Sequence, residues 1–305
     1  VEIIGAALMV IPVERTLHAL FGEDSIVTEQ APAKINLALL VGEKHPDGYH
    51  DVTSVMQSVS LCDTVTARRT SGGITLTCSD PTLACDETNL AYRAAALFFE
   101  ETGVEGGAAL TLEKVIPMQA GLGGGSSDAA AVLRALRRLY APDMPLEELE
   151  CMAIRLGSDV PYCVRGATTL VEGRGEHLTQ LTALPACWCV LCKPDIACPT
   201  GAMYGEIDRR GAHLTLDVQE MVRALERGDL AAVCALVGNV FEQVIDPESD
   251  IFTIRRRLTE LGADTACMSG SGSAVFGLFT KEETARAAQE LLSQDYPRTF
   301  LAKTV

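Results

Sequence analysis

One stretch constrains this chain more than any other. Residues 121 to 128 read Gly-Leu-Gly-Gly-Gly-Ser-Ser-Asp. They lie between an alternating segment, Ala109 to Val115, stopped by Pro117, and a helical pattern, Ala129 to Tyr140. Four glycines in five positions leave the backbone nearly free of side chains and able to take positive φ. Two hydroxyls and a carboxylate follow, where a helix must cap its first free N–H groups. Exposed amides at a helix N-terminus make a site for an anion, most often a phosphate. The spacing is not that of a Walker A loop, which ends in Gly-Lys-Ser/Thr, and no Gly-Lys pair occurs in the chain. It is not a dinucleotide fingerprint, because Ser126 stands where a third glycine or alanine belongs. The His-Arg-Asp and Asp-Phe-Gly companions of a protein-kinase loop are missing. A plain strand-to-helix turn needs fewer than three consecutive glycines.

Composition narrows the partners. A chain of 305 residues makes one large or two modest domains. The net charge of −16 argues against a nucleic-acid binder, which needs basic patches, but leaves room for a small anionic substrate gripped by local amides and lysines. Eleven cysteines, an odd number in a long chain, do not suggest a disulfide scaffold. Cys187, Cys189 and Cys192 fall on a strand pattern, with Cys187 and Cys189 on one face and Cys192 on the other, which reads as core and not as a metal cluster. No apolar run approaches a membrane span, so no membrane partner is expected. Ile3 to Val13 is apolar, yet Glu2 replaces a basic leader and acidic residues follow, so residues 1–28 read as an N-terminal extension and not a targeting signal.

Along the chain, Lys34 to Val41 alternates, with Ile35, Leu37 and Leu39 on one face and Lys34, Asn36 and Ala38 on the other. Such a strand presents a cation and an amide side by side. Pro46-Asp-Gly is a turn signal. Strands are expected near Ser54–Leu61, Asp63–Arg68 and Ile74–Cys78, and a helix over Asn89–Thr102. Gly157-Ser-Asp-Val-Pro is a turn that carries one carboxylate, Asp159. A strand pair meets around Gly173-Arg174-Gly175. A domain boundary falls near Thr182–Ala186, after which come a strand at Trp188–Lys193 and helices at 200–208, 217–226, 230–237 and 248–261. The remainder holds strands at 265–268, 274–279 and 299–304 and a helix at 282–292. Ser269-Gly-Ser-Gly-Ser273 looks like a second anion nest.

Taken together, Ala31-Pro-Ala-Lys-Ile-Asn-Leu, Pro46-Asp-Gly-Tyr-His50, Thr88-Asn-Leu, Gly121 to Ala130, Gly157-Ser-Asp-Val-Pro161, Pro199-Thr-Gly-Ala-Met-Tyr204 and Met268 to Ser273 resemble the GHMP kinases in content and in order. The first two segments point to the branch that phosphorylates a cytidine-diphosphate-linked sugar alcohol of the non-mevalonate isoprenoid route. Ser158 stands where that family has alanine, and Gln119 lies in a variable stretch. The resemblance implies an α+β fold of two domains: an N-terminal one of ribosomal-protein-S5-like type over 29–184 and a C-terminal ferredoxin-like one over 185–305, with the active site in the cleft between them. It implies a cytoplasmic enzyme, a monomer or weak homodimer, that uses ATP and Mg2+ on a small molecule.

The site residues follow from the same resemblance. Asp159 would be the general base and Lys34 its partner, while the run from Pro117 through Met118, Gln119, Ala120, Gly121, Leu122, Gly123, Gly124, Gly125 and Ser126 to Ser127, together with Asn89, would bind ATP. Asn36, Tyr49, His50, Asp159, Tyr204, Gly270, Ser271 and Gly272 would bind the acceptor, with Tyr49 and Tyr204 sandwiching the base. Mg2+ would come with the nucleotide, and Ser126 and Ser127 are the two hydroxyls that could touch it. A homoserine or mevalonate kinase is the alternative, though a small aliphatic alcohol needs no pair of stacking tyrosines; a binding protein without activity is disfavoured because Lys34 and Asp159 are both present.

Overall fold

The computed structural model describes residues 25–305. Of the leading extension read from the sequence, residues 1–24 therefore lie outside the described residues. Ile26 to Thr28 belong to the first strand.

That strand, β1 (Ile26–Lys44), pairs antiparallel with β2 (His50–Thr70) along nearly its whole length. The sequence suggests two strands where β2 is one. The cause is a register shift between Pro32 and Ala33, where pairing jumps from Pro32↔Cys62 to Ala33↔Val59. A bulge resets the side-chain alternation without ending the strand, so one strand reads as two. A second shift, between Asn36 and Ala38, turns Ala38 into the same core as Ile35 and Leu37, away from the face of Lys34 and Asn36.

At 21 residues, β2 is long enough to take two partners in succession: β4 (Gly107–Glu113) against Thr64–Thr70, and β5 (Thr168–Gly173) against Val52–Gln57. With β3 (Gly73–Cys78), β6 (His177–Gln180) and the short β8 (Gly238–Asn239) they form a seven-stranded sheet. Helices α1 (Leu90–Thr102), α2 (Gly124–Tyr140), α3 (Leu146–Ala153) and α4 (Val160–Arg165) share a core with it that centres on Phe98, Leu110, Leu133, Leu136 and Tyr162. The segment read as a turn up to Tyr162 thus enters a helix at Val160. The strand expected to reach Val115 ends at Glu113, because the amides of Val115 and Ile116 leave the ladder and donate to the buried carboxylate of Asp63.

The second sheet holds β7 (Trp188–Cys192), β9 (Thr265–Met268), β10 (Val275–Phe279) and β11 (Thr299–Lys303), in the order β11-β7-β10-β9 and antiparallel throughout. Between β7 and β9 run α5 (Thr200–Arg210), α6 (Val218–Glu226), α7 (Leu230–Ala235), a 3-10 turn (Val240–Val244) and α8 (Asp250–Glu260); α9 (Glu282–Ser293) follows β10. This is the split βαβ topology of a ferredoxin-like domain. One face of the sheet packs on α8 and α9 through Val190, Val275, Ile254, Leu258 and Leu292. The other packs on the first sheet, where Cys189, Leu191 and Phe276 meet Ile35, Leu37 and Val59. The chain end joins the two sheets again: Val305 N–H donates to the Ser58 carbonyl, and Gln57 Nε2 donates to the Val305 carbonyl.

The cysteine strand has the facing its pattern predicts. Cys187 and Cys189 lie in the core between the sheets and Cys192 in the core under α8 and α9. Burial pushes the Cys163, Cys189 and Cys267 thiols well up, away from the reactive thiolate. A thiol reagent should therefore label Cys85 and Cys151, the exposed ones, rapidly in the native protein and the seven buried ones only on unfolding. Peptide mapping after timed labelling checks this, and early labelling of Cys189 or Cys192 would contradict the packing.

Candidate active site

The glycine stretch is half loop and half helix. α2 begins at Gly124, five residues before the apolar pattern starts, and its N-cap is Gly123 at φ +70°, with no side-chain cap. The first intrahelical bond runs from Ser127 N–H to the Gly123 carbonyl (2.8 Å), so the amides of Gly124, Gly125 and Ser126 are the free ones of the first turn. The hydroxyls and carboxylate expected to cap are used elsewhere. Ser127 Oγ is buried and donates to the Pro32 carbonyl (2.7 Å), and Asp128 turns inward to Lys114 (2.6 Å). Ser126 alone of the three stays half-buried at the cleft wall, its hydroxyl with no hydrogen bond among the described residues. With no carboxylate at its cap, the positive end of the helix is left open to an anion.

Two other backbones press on this loop. A Cβ on Gly121, itself at φ +73°, would lie 2.1 Å from the Ser269 carbonyl oxygen, so only glycine fits there. Ser269 Oγ donates to the Gly121 carbonyl (2.9 Å), Ala274 N–H to the Ala120 carbonyl (3.0 Å) and Lys34 N–H to the Leu122 carbonyl (2.9 Å). The Ser269–Ser273 loop is thereby a docking piece more than an anion nest. Its Gly270 N–H donates to Asn36 Oδ1, its Gly272 N–H to the Ser269 carbonyl, and Ser273 Oγ to the Ile196 carbonyl. Ser271 Oγ, 3.0 Å from Thr200 Oγ, lies at the cleft edge.

The chemistry-bearing pair meets at the bottom. Lys34, 3% exposed, donates from Nζ to Asn36 Oδ1 (2.7 Å) and lies 3.6 Å from Asp159 Oδ2. Asp159 occupies the N-cap position of α4, but its carboxylate does not cap and remains half-buried in the cleft. Asn36 is 1% exposed and its amide is committed to the fold, since Oδ1 receives Lys34 and Gly270 while Nδ2 donates to Ser54 Oγ (2.8 Å). Its place is therefore under the site, holding Lys34.

Beneath the loop lies a second ionic group. Lys114 Nζ bridges Asp63 and Asp128, both buried, and Asp128 Oδ1 has no partner among the described residues. Burial, then the Asp63 charge, outweigh Lys114 and push the Asp128 carboxyl up to about 7.

The cleft has a volume of ≈ 1090 Å³, at the top of the range for small-molecule sites and enough for two substrates side by side. At one end Leu83, Leu112, Ile116, Pro117 and Met118 form an apolar wall beside Asn89. Asn89 caps α1, accepting from Ala91 N–H and donating to the Ala84 carbonyl, so it stands at this wall with both polar groups occupied. At the other end are Tyr49, His50 and Tyr204. His50 is stacked on Tyr204 (centroids 5.1 Å, 24°), and Tyr204 meets Phe241 edge-on. Burial, with the Asp159 charge adding, pushes the Tyr204 phenol up to about 12. Tyr49 is 61% exposed and carries the Arg174 guanidinium over its ring at 5.1 Å, with Asp47 pairing Arg174 at 2.7 Å. All the residues that the sequence singles out line this one cleft, except Ser127. Sequence reasoning misses Lys44, Lys114, Arg174, Thr200 and Asp208, which line it too. Only Arg174, between two glycines, and Thr200, inside the Pro199–Tyr204 segment, carried any signal.

The chain matches the family model GHMP kinases N terminal domain over residues 89–167 and the model GHMP kinases C terminal over residues 221–298. It belongs to the GHMP kinase family, with that family's two-domain fold. Within the family it is 44% identical to the 4-diphosphocytidyl-2-C-methyl-D-erythritol kinase of Exiguobacterium sibiricum, over 84% of this chain and 90% of the relative. A solved 4-(cytidine 5'-diphospho)-2C-methyl-D-erythritol kinase superposes with a TM-score of 0.78 at 36% identity, covering 91% of this chain and 99% of that one. A homoserine kinase from Cytophaga hutchinsonii shares the fold, with a TM-score of 0.71 at 18% identity over 92% and 94% of the two chains.

The Asp128 shift has a sign that can be tested. The folded protein holds this proton more tightly than the unfolded chain, whose carboxyl titrates near 3.8. Its contribution to stability is full below about pH 4 and is lost as the pH rises through about 7. Asp128→Asn should therefore gain in melting temperature relative to wild type between pH 5 and pH 8. A difference that stays flat across those scans would refute the shift.

Proposed function

We propose that the protein transfers the γ-phosphoryl group of ATP to the 2-hydroxyl of 4-diphosphocytidyl-2-C-methyl-D-erythritol, acting in the cytoplasm as a monomer or weak homodimer. The observation that carries the reading is the Lys34–Asp159 pair at 3.6 Å, set between the open N-terminus of α2 and the aromatic end of the cleft. Phosphoryl transfer needs positioning and charge stabilisation more than covalent chemistry. The free amides of Gly124, Gly125 and Ser126 hold the ATP phosphates, and the wall around Met118 receives the adenine. Asp159 accepts the proton of the attacking hydroxyl. Lys34, already held by Asn36, stabilises the charge that develops on the transferring group and needs no rearrangement to do so.

Mg2+ would come with the nucleotide and, when bound, would supply neutralisation of phosphate charge. Ser126 Oγ fits that ion, because it lies at the cleft in the first turn of α2, whereas Ser127 Oγ is committed to the Pro32 carbonyl. At the far end the base of the acceptor meets Tyr49 and Tyr204, with Gly270, Ser271 and Gly272 beside the linking phosphates. Stacking on an aromatic ring contributes about 1–3 kcal/mol per base. A homoserine or mevalonate acceptor would leave this end of the cleft without a partner.

Purified protein with Mg-ATP should release ADP when given the cytidyl substrate and should not do so with homoserine or mevalonate. Turnover of either small alcohol in its place would overturn the acceptor assignment. Asp159→Asn should lower kcat by about 10²-fold or more while ATP still binds; near-wild-type turnover in that variant would remove Asp159 from the role of base.

A further inference from the structure

Asp208 has no part in the mechanism above, yet its carboxylate occupies a defined place at the aromatic end of the cleft. It lies near the end of α5, a helix that buries Met203 and Ile207 in the core of the second sheet. Its Oδ1 is 2.7 Å from His50 Nε2 and its Oδ2 is 2.6 Å from Lys44 Nζ. Lys44 is the last residue of β1 and His50 the first of β2, so one carboxylate ties both arms of the Pro46-Asp-Gly turn to the opposite wall. His50 is 8% exposed, stacked on Tyr204, and its Nδ1 has no hydrogen-bond partner among the described residues.

These contacts dictate a tautomer. An ionised carboxylate can only accept, so His50 Nε2 must carry the hydrogen. In a neutral imidazole the other nitrogen is then bare and can only accept. What reaches Nδ1 from the cleft must therefore bring a hydrogen. A cytosine offers its exocyclic amino group, whereas a uracil presents a carbonyl at the same position and meets the bare nitrogen lone pair to lone pair.

We propose that Asp208 is a positioning residue for base choice: through Nε2 it fixes His50 as a hydrogen-bond acceptor, so that the cleft takes a cytidine diphosphate group in preference to its uridine counterpart. The inference rests on the reading of the acceptor as a cytidine conjugate, and it concerns how that base is recognised. Tyr49 and Tyr204 cannot make the distinction, since both bases have a face to stack on.

Two measurements on the full protein test it. In the first, 15N spectra of the protein with labelled histidines are recorded at neutral pH, with the His50 signals assigned from His50→Gln. The expected wild-type state is Nε2–H with bare Nδ1, and Asp208→Ala should populate both tautomers. A protonated Nδ1 in the wild type, or an unchanged tautomer in the variant, would overturn the proposal. In the second, CDP and UDP are titrated calorimetrically into wild type, Asp208→Asn and Asp208→Ala. Wild type should prefer CDP, and both variants should lose about tenfold of that preference, the equivalent of one net hydrogen bond. ATP affinity should not move, which separates this role from a general loss of fold. Equal affinity of the wild type for CDP and UDP, or full preference in both variants, would sink the assignment. A CDP preference that depends on Asp208, in a protein that fails to turn over the cytidyl substrate, would keep this inference and reject the acceptor reading instead.

Discussion

The buried carboxamide of Asn36 is the contact on which the rest of the site depends. It receives the Lys34 ammonium and the Gly270 amide on one atom and reaches Ser54 with the other. A lysine 3% exposed is costly unless its charge is bonded, and Asp159 at 3.6 Å is too distant to do this alone. Asn36 supplies the missing partner without neutralising the charge, so Lys34 keeps its electrostatic effect at the reacting centre. The same side chain draws in the Ser269–Ser273 loop, which carries the second sheet's contribution up to Gly121. Removing the amide would leave the Lys34 cation with only Asp159 at 3.6 Å and the buried Gly270 N–H without its partner, while the Ser54 hydroxyl keeps the Ala38 carbonyl; a buried group left unpaired costs about 1–3 kcal/mol.

A similar economy governs the glycine stretch. Its residues serve two demands that are separate in physical terms. Gly123 to Gly125 open the start of α2, so that three amides face the cleft. Gly121 serves contact between backbones, since Ser269 stands where its Cβ would be. Behind them the Asp63–Lys114–Asp128 group fixes the entry to the loop from below: Asp63 captures the amides of Val115 and Ile116, and Lys114 joins β2 to the first turn of α2. The phosphate grip is therefore held on three sides before any ligand arrives, which is the preorganisation that phosphoryl transfer rewards.

Much of this was legible in the residues. The glycine run between a strand and a helix marks the loop, the alternation of β1 puts Lys34 and Asn36 on one face, and the cysteine pattern at 187–192 reads correctly as core. The errors have local causes. The bulges at Pro32–Ala33 and Asn36–Ala38 shift the phase of alternation, which splits β2 in the reading and misplaces Ala38. Ser126, Ser127 and Asp128 look like caps because their residue types cap helices, yet Ser127 and Asp128 are drawn away by the Pro32 carbonyl and by Lys114, partners distant in sequence. Asp208 reads as an ordinary helix-surface acid, because its partners Lys44 and His50 are more than 150 positions away.

By itself, then, the sequence determines which chemistry is available: amides without side chains, a cation on a strand, a carboxylate at a turn and aromatic rings for a base. Local spacing carries that information, because backbone freedom and residue type are properties of short segments. Only the tertiary structure decides which of these groups face the cleft and which are consumed in building it. Asn36 and Ser127 turn inward, Ser126 and Asp159 remain available, and Asp208 is brought to His50. Those outcomes rest on hydrogen-bond partners and close backbone approaches between the two sheets, which no short segment can specify.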